Sequence, residues 1–308
     1  MKLDWLIVAI IAALVSACAA PQTERLLQQH GSLPEKAAVR DTVFFAQRTK
    51  ECGPAALAMA LDQSGVSVAP DDLVAEVYTP SRGGSLAPDI LAAARRHGRV
   101  AYPVGSLKAL LDELAGGRPV LVLQNLALDW APQWHFAVAV GYDFVAPSVT
   151  LHSGRTRFRE TPMSTFERTW ERSGYWGLVL LRPGRFPANP DEPTYIRAVA
   201  GVERAGQARV AERSYRAALA RWPHSLSAAM GLGNTLYRLG DRKAAARAFE
   251  DAVARHPDSP DPYNNLAHVL MELGDLQAAE IAARHAVAIG GVRKDIYRET
   301  LTAILSRR

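Results

Sequence analysis

AQRTKECGPAALAMAL, residues 46–61, carries one cysteine between a charged loop and an apolar run. The chain's only other cysteine is Cys18. Three readings are open for Cys52: a small buried hydrophobe, a metal ligand or a nucleophile. Pro54 suits the first turn of a helix, where a missing N–H costs nothing, and Leu57 and Leu61 share a face at i, i+4. The pattern predicts a helix over Pro54–Ser64 with Cys52 at its start. Unpaired amides and the helix dipole favour negative charge there and lower a thiol pKa. Gly53 is expected to leave room for a substrate backbone.

The N-terminus, MKLDWLIVAIIAALVSAC, has a lysine at position 2 and an apolar run from Trp5 to Ala17, too short to span a bilayer, which takes about 20 residues. It reads as a secretory signal over 1–17. VSAC resembles the lipobox of bacterial lipoproteins, whose cysteine is diacylated before the chain is cut ahead of it. That resemblance implies lipidation of Cys18, and Ala19 in place of an aspartate implies an outer-membrane protein facing the periplasm; an ordinary signal cut near the same place is the alternative. A lipidated Cys18 leaves Cys52 without a disulfide partner, and no His-x-x-x-His spacing offers zinc a site. A lone thiol in an oxidising compartment must be buried or used.

The composition, 48% hydrophobic and 22% charged, is that of a globular protein, and 308 residues suit about two domains. The net charge of +5 is scattered among acids, and no basic run with interleaved aromatics points to nucleic acid. Residues 18–40 are polar and punctuated and read as a tether. A domain over 41–185 has helical character first and strands afterwards: PVLVLQN at 119–125, HFAVAVGYD at 135–143, SVTLHSG at 148–154 and YWGLVLLRP at 175–183. That order indicates an α+β fold. RPGRFPANPDEP holds four prolines, and residues 186–191 read as a linker.

Beyond the linker the sequence repeats. Gly206, Gly240 and Gly274 are spaced by 34, as are Ala218, Ala252 and Ala286; Pro223 and Pro257 keep the period and Gly291 takes the third place. A 34-residue period with these signatures resembles the tetratricopeptide repeat, three helix pairs and a capping helix over 192–305. Such an all-α solenoid presents a concave surface for a peptide or partner protein.

A nucleophilic cysteine needs a base, usually a histidine distant in sequence. His135 heads an apolar strand behind the loop DWAPQW, where Trp134 could shield it from water; His152 competes. Oxyanion stabilisation needs donors, for which Gln47 and the Cys52 N–H are candidates. Q-x4-CGPAALAM followed by WHFAVAVGYD resembles the papain-like peptidases that include the double-glycine leader peptidase domains of bacteriocin exporters, over about Phe44–Pro183. The resemblance implies Cys52 as nucleophile, His135 as base and Gln47 as oxyanion residue. The family's orienting aspartate is missing: the matching place reads LHSG, Leu151–Gly154, where His152 or Ser153 could substitute. Asp143 is eight residues from His135, about 26 Å along a strand at roughly 3.3 Å per residue, too far without a turn.

The sequence therefore predicts a lipid-anchored envelope cysteine peptidase with no metal or organic cofactor. Its partners would be a peptide or protein substrate, a protein bound by the repeats and the membrane through the anchor. The alternative is a non-catalytic envelope adaptor that binds through the peptidase fold.

Overall fold

The computed structural model describes residues 20–48 and 51–307. The expected signal segment and Cys18 lie outside them. No helix among the described residues is long and apolar enough to cross a membrane. The chain forms two compact units: one runs to Arg182 and takes in Phe186–Pro190, the other comprises Pro183–Arg185 and the chain from Asp191 onward.

The first unit is an α+β fold. Its elements begin with α1 (Pro21–Gln28), β1 (Lys36–Ala38), α2 (Cys52–Gln63), α3 (Pro70–Val77), and the short β2 (Tyr78–Thr79) and β3 (Gly84–Ser85) joined by a 3-10 turn at Pro80–Arg82. They continue with α4 (Ala87–Arg96), β4 (Val100–Pro103), α5 (Leu107–Ala115), β5 (Val120–Asn125), β6 (Trp134–Asp143), β7 (Ser148–Ser153), β8 (Thr156–Pro162), α6 (Met163–Glu171) and β9 (Gly177–Leu181). A seven-stranded antiparallel sheet runs β4-β9-β5-β6-β7-β8, with β1 also on β6. Strand β6 is its hinge: β5 pairs with Trp134–Ala139, and β1 takes over at Gly141–Asp143.

Helix α2 is apolar on every side, and a helix of that kind must be enclosed. Every residue from Gly53 to Leu61 is buried, and Leu57, Met59 and Leu61 share a core with Leu73, Ile90, Leu121, Phe136 and Val138. The helix begins two residues earlier than Pro54, so Cys52 is its first residue.

Residues 20–40 are not a tether. Helix α1 packs Leu26 inward, and its leading N–H groups, those of Gln22 and Thr23, donate to the buried Glu167 carboxylate at 2.8 and 2.6 Å. Anions at a helix N-terminus satisfy orphan donors and meet the positive end of the dipole. The Gln22 side chain accepts from Leu107 N at 2.8 Å, and β1 extends the sheet. The polar composition concealed this because the buried residues, Leu26, Leu33 and Val39, are widely spaced among exposed ones. The expected linker is likewise part of the fold: Ala188 N donates to Glu113 Oε1 at 2.6 Å and Asn189 Nδ2 to Asp112 at 2.7 Å. Strands β4 and β8 and helix α6 have short or mixed patterns and were not predicted.

The second unit is a run of helices: α7 (Glu192–Arg204), α8 (Ala208–Arg221), α9 (Leu226–Arg238), α10 (Arg242–Arg255), α11 (Pro260–Leu273), α12 (Leu276–Ile289) and α13 (Lys294–Leu305). Gly206, Gly240 and Gly274 sit at the turns inside successive pairs with φ of 83°, 83° and 86°, a backbone region that glycine enters without a Cβ penalty. A side chain at Gly231 or Gly233 would collide with the ring of Tyr215 or Phe249, so the helices approach closely there. Glu203 accepts from Tyr215 Oη and Thr235 Oγ1, each at 2.9 Å, and ties α7 to α8 and α9.

Deleting residues 20–40 is expected to lower the melting temperature by about 10 °C or more. Leu26, Leu33 and Val39 each contribute on the order of 1.5–3 kcal/mol by burial, and each kcal/mol moves Tm by roughly 2–4 °C at this size. Calorimetry on the full and shortened chains checks it; an unchanged Tm would restore the tether.

Candidate active site

The start of the buried helix α2 opens on a cleft of about 980 Å³. Cys52, Gln47 and His135 all line that cleft, with Trp134, Phe136, Ser85 and Gly154. Sequence distance is bridged by the sheet: His135 is the second residue of β6, paired with Gln124 of β5, and α2 packs against β6.

Hydrogen bonds to the Cys52 thiolate from the backbone N–H groups of Phe136, Gly53 and Cys52 itself favour ionisation, but burial outweighs them and raises the thiol pKa above its ordinary value. The expected lowering by the helix start is therefore real as a local contribution and reversed in sum. His135 moves the opposite way: burial, with the charge of Arg159, lowers its pKa. Both shifts favour an uncharged thiol beside an uncharged imidazole.

Of the two candidate orienters, Ser153 is the one in contact with His135. Ser153 Oγ lies 2.8 Å from His135 Nε2. A hydroxyl there can accept from Nε2–H, leaving Nδ1 as the basic nitrogen. His152, the neighbouring residue of β7, points to the other face, as strand alternation requires, with its ring at the edges of Phe44 and Phe158 (centroids 5.3 and 4.9 Å). It is fully buried, and its ring nitrogens make no close hydrogen bond, only the Val43 backbone lying near enough to act on the ring. Burial lowers its pKa, opposed by the Val43 backbone. Asp143 stands at the far end of β6, where it accepts from Lys36 Nζ at 2.7 Å.

Gln47 is buried and doubly held: Nε2 donates to Phe136 O at 3.1 Å, and Oε1 accepts from Gly154 N at 3.0 Å. Two further expectations are corrected. A Cβ on Gly53 would strike the Ser85 side chain, so the glycine admits strand β3 rather than a substrate. Trp134 is 52% exposed and forms part of the cleft's rim instead of sealing it. Arg82 and Arg172 also line the cleft and were not foreseen; they lie on a turn and at the end of a helix, far from any motif.

The Peptidase C39-like family model matches residues 39–177, and the tetratricopeptide-repeat model matches 203–241 and 230–292. The chain joins a C39-peptidase-like domain to tetratricopeptide repeats. Among solved structures, a C39-like peptidase from Bacillus anthracis is 18% identical with a TM-score of 0.42, over 48% of this chain and 98% of that one. The repeats are similar to SycD, a type III secretion chaperone of Yersinia enterocolitica in complex with a peptide of the translocator YopD (17% identity, TM-score 0.34, 37% of this chain and 92% of that one). They are also similar to PcrH in complex with the chaperone-binding region of PopD (20% identity, TM-score 0.36, 39% and 96%). No curated protein matches the chain.

The buried His152 of the C39-like domain sets a pH dependence of stability. Its folded pKa lies below that of the unfolded chain, near 6.5, so below that pH the unfolded state binds more protons and stability falls. His152→Leu is expected to lose less Tm than the native chain between pH 7.5 and 5.5 in calorimetry. An equal loss would show that His152 does not carry the effect.

Proposed function

We propose that the C39-like domain is a cysteine peptidase in which Cys52 is the nucleophile, His135 the base and Ser153 the residue that fixes the imidazole. The observation that carries the reading is the 2.8 Å contact between His135 Nε2 and Ser153 Oγ at a cleft that Cys52 shares. With the hydroxyl accepting from Nε2–H, Nδ1 is left to act as the base. As the thiol attacks a peptide carbonyl, its proton passes to His135 Nδ1. The Cys52 N–H and the second hydrogen of Gln47 Nε2 stabilise the oxyanion, the first being held by Phe136 O. His135 then protonates the leaving amine, and water releases the acyl-enzyme. Because thiol and imidazole rest uncharged, the proton moves with the attack rather than before it.

The repeats bind the substrate or a second protein. Cys18 is the lipid attachment site, and the protein faces the periplasm from the outer membrane; Cys18→Ser should move the chain from the membrane fraction to the soluble one on cell fractionation, and retention in membranes would overturn the anchor. The second reading, a peptidase fold that binds without cutting, is favoured by the absence of a carboxylate at Ser153.

Labelling Cys52 with a peptidyl acyloxymethyl ketone, which needs both nucleophile and base, separates the two. His135→Ala should slow labelling by about 100-fold or more. Ser153→Asp, which puts a charge beside the imidazole, should raise the His135 pKa by about 1–3 units and speed labelling near neutral pH. A folded native chain that labels no faster than His135→Ala would leave the adaptor reading.

A further inference from the structure

We propose that the cleft at Cys52 selects substrates that carry a carboxylate close to the reacting bond. Turnover of such a substrate rests on the peptidase reading above; the binding preference does not.

Three arginines line the cleft, Arg48, Arg82 and Arg172, and no aspartate or glutamate does among the described residues. Arg48 is already answered: Nη1 lies 2.9 Å from Asp71 Oδ1 and 4.0 Å from Glu51 Oε2. The other two are not. Arg172, which caps the C-terminus of α6, donates from Nη1 to Ala127 O at 2.8 Å, with Asn125 O at 3.4 Å. Those carbonyls fix the guanidinium in place and leave its charge uncompensated. Arg82 is exposed at the end of the turn between β2 and β3, with no hydrogen-bonding or ion-pair partner among the described residues. Two uncompensated charges thus reach one concave site from separate elements, on a wall that also bears the half-exposed Trp134 and Leu86.

A cleft lined by charge of one sign focuses its field and concentrates counter-ions, and a guanidinium offers a planar fork that matches a carboxylate. The rim's apolar surface suits the aliphatic stem of an acidic side chain or the chain beside it. An acidic side chain and a free C-terminus present the same group.

Two readouts on the full chain test this. The first is the ratio of Cys52 alkylation rates with anionic iodoacetate and neutral iodoacetamide at low salt, followed by the mass of the Cys52 peptide. In both reagents the sulfur displaces iodide from the same carbon, so the ratio reports the charge of the cleft without turnover. Arg82→Gln and Arg172→Gln should each lower it by roughly two- to fivefold, Arg172→Lys should retain it, and high salt should erase the difference. Arg82→Gln carries the decision if Arg172→Gln fails to fold, since Arg82 holds no other residue. An unchanged ratio in Arg82→Gln overturns the proposal.

The second readout is digestion of a mixed peptide library. Cuts should cluster beside Asp or Glu, or near free C-termini, and which of these occurs identifies the source of the carboxylate. Cuts with neither preference overturn the proposal and leave the peptidase standing. A charge-dependent ratio with no cutting at all supports the carboxylate site and removes the peptidase.

Discussion

The structure of the C39-like domain depends on enclosing one helix. Residues 53–61 of α2 are all buried, so the helix cannot lie on a surface; strands β5 and β6 and helices α3 and α4 must surround it. An enclosed helix still has N–H groups at its start without intrahelical partners, here those of Cys52 and Gly53, since Pro54 has none and Ala55 N bonds Glu51 O. The core can tolerate that end only where the chain opens to a cleft, and there the sequence places Cys52 and Gly53. The same enclosure brings the head of β6 to the cysteine, because α2 packs on that strand. The proximity of Cys52 and His135 follows from core packing and needs no dedicated loop.

Much of this was legible from patterns that have a physical cause. The apolar run after Cys52, the apolar strand behind His135 and the period of 34 in the repeats each encode burial directly, and each element lies where its pattern indicated. Two kinds of information were not encoded locally. Residues 20–40 looked like a tether because their hold on the domain comes from Glu167, more than 140 residues away, and from three spaced apolar side chains. Arg82 and Arg172 carry no motif, and only the fold brings them to one cleft.

The choice between His152 and Ser153 illustrates a finer limit. Both lie in the LHSG stretch, and a one-residue difference on a strand is a difference of face. Strand β7 pairs with β6 through an irregularity between Ala139 and Gly141, so simple alternation counted from the sequence does not give the facing residue. The register gives Ser153 the imidazole and leaves His152 among aromatic rings.

A hydroxyl in place of a carboxylate changes what the site is like at rest. A carboxylate would stabilise an imidazolium and, through it, a standing thiolate; Ser153 can only orient the ring. Burial then dominates both partners, raising the thiol and lowering the imidazole. Since the thiolate is the form that electrophiles and oxidants attack, a thiol held uncharged is protected in proportion to its raised pKa. On the peptidase reading, reactivity then depends on a substrate that places its carbonyl where the sulfur's proton can leave as the new bond forms. On the carboxylate proposal, selection rests on the arginines that line the cleft rather than on a preformed ion pair at its floor.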